Sequence, residues 1–270
     1  MIKSIFYIKF LYYLVKFYLR KKINNFKNGK PQLNLTDHEI IQEIKSNGYS
    51  LNYNFFSKNE CQEIIKIIEK FIENNKEYLQ CDDHSSDVRV FGINNANIDL
   101  IQKFYDEKFL KHIGENFLKC RIKNFFTMFG KTTFKLNNTG SGGGWHRDNI
   151  QPTYKAMIYL TDVNKENGAF QMIKKSNKLK NLVRDYVYLN KKNILNTRFS
   201  NHEINNLIEH FDYTVQTLSA NAGTVILFDG SCLHRGLPLV KGARYALTNY
   251  YYPTSKKINE NDFKPMYKRQ

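Results

Sequence analysis

Cysteine is scarce in this 270-residue chain: Cys61, Cys81, Cys120 and Cys232 lie far apart, and no C-x-x-C pair occurs. That excludes a dense disulfide scaffold and a cysteine-rich zinc finger, and it favours reduced thiols in the cytoplasm. Five prolines and 14 glycines are too few for a collagen-like or low-complexity chain. Acidic residues are short as well: 25 Asp+Glu stand against 41 Lys+Arg, a net charge of +16. Such an excess can attract nucleic acid, an anionic membrane or an acidic substrate. No nucleic-acid-binding motif accompanies it, and Lys, Asn, Ile, Tyr and Phe are abundant throughout. The charge therefore reads as a solvated basic surface, and no nucleic-acid partner is expected. An uninterrupted membrane span is also missing. Of the 18 residues from Ile2 to Leu19, 14 are apolar or aromatic, but Lys3, Lys9 and Lys16 break the run. A span needs about 20 apolar residues with few charges. Arg20-Lys21-Lys22 follows instead of a small-residue cleavage site.

What stands in this segment is amphipathic. At helical period Lys9, Tyr13, Lys16 and Arg20 fall on one stripe, and the remaining surface is apolar. Residues 1–22 thus suit a helix lying in a membrane interface. The alternatives are packing on the protein's own body or on a second copy, and a true span interrupted by its lysines. Residues 23–35 read as a linker. Thr36 then caps a helix with Glu39 in capping-box spacing, and Ser57 with Glu60 opens another, whose apolar residues recur every three to four. Residues 80–95 are polar, and Cys81–Ser86 reads as a surface loop. Asp82, Asp83 and His84 are adjacent there, so they would point in different directions rather than share a metal. Residues 96–119 read as helical.

From Phe125 onward, short runs rich in Phe, Thr, Val, Ile and Tyr alternate with Gly or Asn clusters. They predict strands at 124–136, 156–160, 169–173, 213–218, 223–228 and 244–252, an antiparallel sandwich or barrel. Residues 178–210 look like a partly helical insertion between strands; its Arg184, Lys191, Lys192 and Arg198 could meet an anionic group. The fold expected is mainly β with flanking helices.

The chemistry concentrates in three places. Gly142-Gly143-Gly144-Trp145-His146-Arg147-Asp148 sets an imidazole and a carboxylate two residues apart. On an extended chain both face one way and can grip one metal ion. His234 follows an apolar strand and could complete a two-His, one-carboxylate set, which leaves positions open and marks non-haem Fe(II) oxygenases. Arg244, ten residues on, can take a carboxylate in a bidentate pair. The other histidines, His38, His84, His112, His202 and His210, have no such context.

Together these blocks resemble the phytanoyl-CoA dioxygenase-like branch of the Fe(II)/2-oxoglutarate-dependent oxygenases. The resemblance runs over roughly 36–253. It includes Glu43–Tyr49, Phe55–Glu60, Trp145–Asn149, Tyr159–Phe170, Ala222–Phe228 and His234 through Arg244. It implies a double-stranded β-helix (a cupin-like jelly roll) spanning residues 36–255, with 256–270 as a tail. It implies Fe(II) held by His146, Asp148 and His234, and 2-oxoglutarate paired through its far carboxylate with Arg244. O2 is the co-substrate. A further polar contact to 2-oxoglutarate is expected from Lys131 and Thr133, which share a strand face with Phe129. Related halogenases replace the carboxylate, so Asp148 points to hydroxylation. Arg147, where many relatives carry Gln, and the Gly-Ser-Gly-Gly-Gly loop depart from the pattern and imply a substrate other than a fatty acyl-CoA. The expected enzyme is a cytoplasmic dioxygenase, placed at the membrane face if residues 1–22 dock there. It acts on a small-molecule or a lipid- or glycan-linked substrate, releasing succinate and CO2. The competing expectation is a non-catalytic scaffold of the same fold, against which all four site residues being intact argues.

Overall fold

The computed structural model describes residues 37–268 and, before them, positions 8, 10–13, 15, 16, 19 and 22. The linker at 23–35 and the Thr36 cap lie outside the described residues. Helix α1 (His38–Asn47) ends on Gly48, whose φ of 96° is a left-handed turn that glycine adopts without strain. A Cβ there would also meet Cys232 Sγ at 2.4 Å. The chain turns directly into β1 (Tyr49–Asn52). Helix α2 (Lys58–Asn74) begins with the Ser57/Glu60 capping box formed in both directions.

Inside the polar stretch 80–95 the chain forms β2 (Gln80–Cys81) and β3 (Asp87–Phe91). The turn between them holds Asp82, whose Oδ1 accepts from the Ser86 and Asp87 backbone. Helices α3 (Asp99–Tyr105) and α4 (Lys108–Leu118) lead to β4 (Ile122–Thr133) and β5 (Tyr154–Tyr159). After β6 (Phe170–Ile173) come α5 (Leu179–Tyr188) and α6 (Asn201–Phe211). Strands β7 (Val215–Leu218), β8 (Val225–Phe228), β9 (His234–Gly236) and β10 (Ala243–Pro253) complete the core.

The strands make an antiparallel jelly roll. Its larger sheet runs β1-β8-β5-β10-β4-β3-β2 and the smaller β7-β6-β9. Alternation along each strand divides the side chains. From β8, Val225 and Leu227 join the core against the helices, with Ile41, Ile64 and Phe104. Ile226 and Phe228 instead meet Phe170 and Met172 between the two sheets. A third apolar cluster joins α5 and α6 to Trp145, Ile150 and Phe10. The last described residues fold back on the body: Phe263 packs on Phe126 at 4.8 Å, and Tyr267 N donates to Phe91 O. Among the described residues, no helix is long and apolar enough to cross a membrane.

Candidate metal centre

Two backbone bonds build the centre. His146 N donates to His234 O and His234 N to His146 O, each at 2.9 Å. This pairing lays the two imidazoles side by side, ring centroids 4.3 Å apart. Asp148 N donates to Gly230 O at 2.7 Å, which brings the carboxylate to the same place. His146 Nε2 and His234 Nε2 each lie 3.9 Å from an Asp148 oxygen, Oδ1 and Oδ2 respectively. Among the described residues, these three form a group whose potential ligand atoms all lie within 4.8 Å of one another.

The protonation pattern suits a cation. The Nδ1 atoms of His146 and His234 lie 2.9 Å from the carbonyls of Gly144 and Cys232. A carbonyl only accepts, so Nδ1 carries the proton and Nε2 keeps its lone pair. Burial disfavours the imidazolium in both, lowering His146 to about 3 and His234 in the same direction. Burial alone would raise the Asp148 carboxyl; the Lys155 ammonium holds it well below the usual range. Lys155 Nζ sits 2.8 Å from Oδ1. Oδ2 is buried and accepts no hydrogen bond. A bare anionic oxygen in the interior is costly, and a cation shared with two Nε2 atoms would satisfy it.

The triad borders a cavity of about 100 Å³ whose apolar lining includes Phe170, Phe228, Met128 and Met157. Arg244 lies on its wall and is only 4% exposed. One Nη1 donates to Gly168 O at 2.5 Å, while Nε has no partner. The bare side of Gly236 makes room for this guanidinium, since a Cβ would come within 3.1 Å of Nη1.

The model of the phytanoyl-CoA dioxygenase (PhyH) family matches residues 44–240. This chain belongs to the phytanoyl-CoA dioxygenase family. No curated protein matches it. Among the solved structures to which the jelly roll is similar are SnoN, HygX and SnoK. SnoN, a non-heme alpha ketoglutarate dependent epimerase from nogalamycin biosynthesis, is 13% identical with a TM-score of 0.61, covering 80% of this chain and 82% of that one. HygX from Streptomyces hygroscopicus, solved with nickel, 2-oxoglutarate and hygromycin B, is 15% identical with a TM-score of 0.56, covering 87% and 95%. The carbocyclase SnoK is 15% identical with a TM-score of 0.59, covering 82% and 86%. Iron(II) and 2-oxoglutarate are the cofactor and co-substrate of the phytanoyl-CoA dioxygenase family.

In this family member Lys131 and Thr133 do not reach the cavity, which corrects the expectation for them. Arg244 lies cross-strand from Thr132, and Tyr245 from Lys131. Lys131 therefore faces the helices, 2.7 Å from Glu69 of α2, and Thr133 shares that face. The inner face of the same sheet carries two residues that sequence reasoning missed. Arg89 Nε and Nη2 reach Asp87 Oδ2 at 3.1 and 2.6 Å, and that oxygen accepts from Gly142 N at 3.1 Å. The alternation Asp87-Val88-Arg89-Val90-Phe91 was the available signal. Three of the four basic residues named in the insertion have structural partners. Arg184 lies over the Phe211 ring, Lys191 pairs with Glu203, and Arg198 clamps the carbonyls of Gly142 and Gly143. Trp145 belongs to the core, 4% exposed, with Arg235 over its ring.

Gly230 yields the first prediction. A Cβ there would sit 2.0 Å from Asp148 Oδ2 and 2.6 Å from Thr153 Oγ1. Gly230→Ala should keep the circular dichroism of the fold but weaken Fe(II) binding roughly 10- to 100-fold. Unchanged affinity in a metal titration would contradict the placement of Oδ2.

Proposed function

We propose that this chain is an Fe(II)- and 2-oxoglutarate-dependent dioxygenase. It hydroxylates a small-molecule or a lipid- or glycan-linked substrate in the cytoplasm, with release of succinate and CO2. One observation carries the reading: the unsatisfied Asp148 Oδ2, buried beside two imidazoles whose Nε2 lone pairs are free of protons. His146, Asp148 and His234 would hold the iron, and Arg244 would take the far carboxylate of 2-oxoglutarate. Bound iron and 2-oxoglutarate supply the O2 activation needed to oxidise a C–H bond.

The chain's own residues do the rest. Lys155 occupies Asp148 Oδ1, so the carboxylate presents one oxygen rather than two. The Gly144 and Cys232 carbonyls fix both rings in one tautomer. Phe170, Phe228, Met128 and Met157 give the reacting position an apolar wall. Asp148 supports hydroxylation, because its carboxylate would ligate the iron where halogen chemistry would need a small residue to admit a halide.

The test is an anaerobic titration of Fe(II) and 2-oxoglutarate, followed by the weak visible charge-transfer band of their chelate. Wild type should form the band. In Arg244→Ala, losing charged hydrogen bonds worth about 1.5–3 kcal/mol should weaken 2-oxoglutarate binding roughly 10- to 100-fold. A freshly reconstituted wild type that gives no band would sink the reading. Product bearing one added oxygen would separate hydroxylation from epimerisation or ring closure.

A further inference from the structure

At the described positions from 8 to 22 the N-terminal segment is helical. One side rests on the body. Phe10 is buried in the cluster with Trp145, Ile150 and Leu182, and the Tyr13 carbonyl accepts from Gln151 Nε2 at 2.7 Å. The opposite side is apolar and bare. Ile8, Leu11, Tyr12, Val15 and Leu19 are 69%, 61%, 57%, 49% and 55% exposed. At 3.6 residues per turn these five fall within an arc of about 100°. A helix whose only task is to pack on its own domain puts polar residues outward; this one turns its apolar stripe to solvent.

The charge around the stripe selects what covers it. Lys22 is exposed and Lys16 partly so. Lys9, Arg20 and Lys21 stand in the same stretch of sequence, and the whole chain carries +16. Two copies of such a basic helix would repel each other, whereas an anionic lipid surface attracts it.

The position of the helix matters equally. Tyr13 and Lys16 border a mainly apolar cavity of about 200 Å³, which includes Ile150, Pro152 and Leu195. That cavity shares Asn149, Thr153, Tyr252 and Lys256 with a second one of about 330 Å³. The second shares Arg89, Asp148, Lys155 and Tyr250 with the cavity at the triad. Adjoining hollows therefore run from the triad to the underside of the helix.

We infer that the face formed by Ile8, Leu11, Tyr12, Val15 and Leu19 docks on an anionic lipid bilayer. Docking sets the mouth of the triad cavity at the membrane surface, so the substrate met there is a molecule carried by a lipid chain. The substrate class rests on the proposed oxygenase function; the docking does not.

Flotation of the full chain with vesicles of equal parts phosphatidylcholine and phosphatidylglycerol tests the docking. The chain should float with these vesicles and far less with phosphatidylcholine alone. The double substitution Leu11→Glu plus Val15→Glu alters exposed positions with a good helix former. It should reduce flotation at least tenfold while circular dichroism stays unchanged. Wild type remaining at the bottom of the gradient overturns the inference, as does equal flotation of the double variant. A concentration-dependent dimer that the double variant abolishes, without flotation, assigns the face to a second copy and overturns it too. The Fe(II)–2-oxoglutarate band, read on the same wild-type sample, reports the iron function separately, so the two failures are distinguishable.

Discussion

Asp148→Ala is expected to abolish Fe(II) binding and to lower 2-oxoglutarate turnover by at least about a thousandfold, a barrier change of about 4 kcal/mol. The size follows from two losses and their consequence. The one carboxylate of the triad disappears, leaving two neutral imidazoles to hold a dication. The Lys155 ammonium, whose side chain is 13% exposed, loses its partner at 2.8 Å. Left unpaired beside the metal position, that charge repels the cation the site has to accept. Asp148→Asn keeps the shape but should fail similarly, because an amide supplies no negative charge. The double variant Asp148→Ala with Lys155→Met removes the stranded ammonium. It should recover thermal stability without recovering metal. Isothermal titration with Fe(II) under anaerobic conditions, together with succinate release, reads both quantities. Near-wild-type metal affinity in Asp148→Ala would remove this aspartate from the centre.

The triad was legible because its grammar is local. His146 and Asp148 stand two residues apart in an extended segment, and the apolar strand before His234 brings the third group back to an isolated bridge with His146. Arg244 followed from its spacing on the next strand. The face carrying Lys131 was misread for a physical reason. Both sides of β4 are buried, with Phe129 against the helices and Met128 toward the triad cavity. Alternation tells which residues travel together, but with apolar groups on both sides it does not tell which set the barrel encloses. Strand β3 was hidden by composition: Asp87 and Arg89 make 80–95 look like a solvated loop. They neutralise each other inside the barrel instead, with Arg89 side-chain exposure at 25% and Asp87 at 7%. Lys155 went unnoticed likewise, since a lysine on a strand looks like an edge or solvent position. Its partner Asp148 is near only after β5 and the His146 segment have been folded together.

Arg147→Met should destabilise the protein by about 3–5 kcal/mol, the typical cost of breaking a buried ion pair. At roughly 2–4 °C per kcal/mol for a domain of this size, Tm falls by roughly 10 °C. Arg147 points away from the triad, as alternation requires of the residue between His146 and Asp148, and it is 1% exposed. Its Nη1 donates to the carbonyls of Ser176 and Ser231 at 2.8 and 2.5 Å, and Nη2 reaches Asp185 Oδ2 at 2.7 Å. Those partners sit just after β6, just before β9 and on α5. One guanidinium therefore ties the segment bearing two candidate ligands to the loop leading to the third, and both to the insertion. With Arg147 gone, Asp185 is left fully buried with Tyr213 Oη at 2.8 Å and the more distant Arg184 at 3.8 Å. Adding Asp185→Leu removes the stranded carboxylate and should return half or more of the lost stability, a coupling that a double-mutant cycle measures. Metal affinity separates a positioning role from mere packing. If Arg147 holds the spacing between His146, Asp148 and His234, Fe(II) affinity falls in the single variant and stays low in the stabilised double variant. If affinity returns together with Tm, the guanidinium contributes packing alone, and the backbone bonds between His146 and His234 suffice to set the triad.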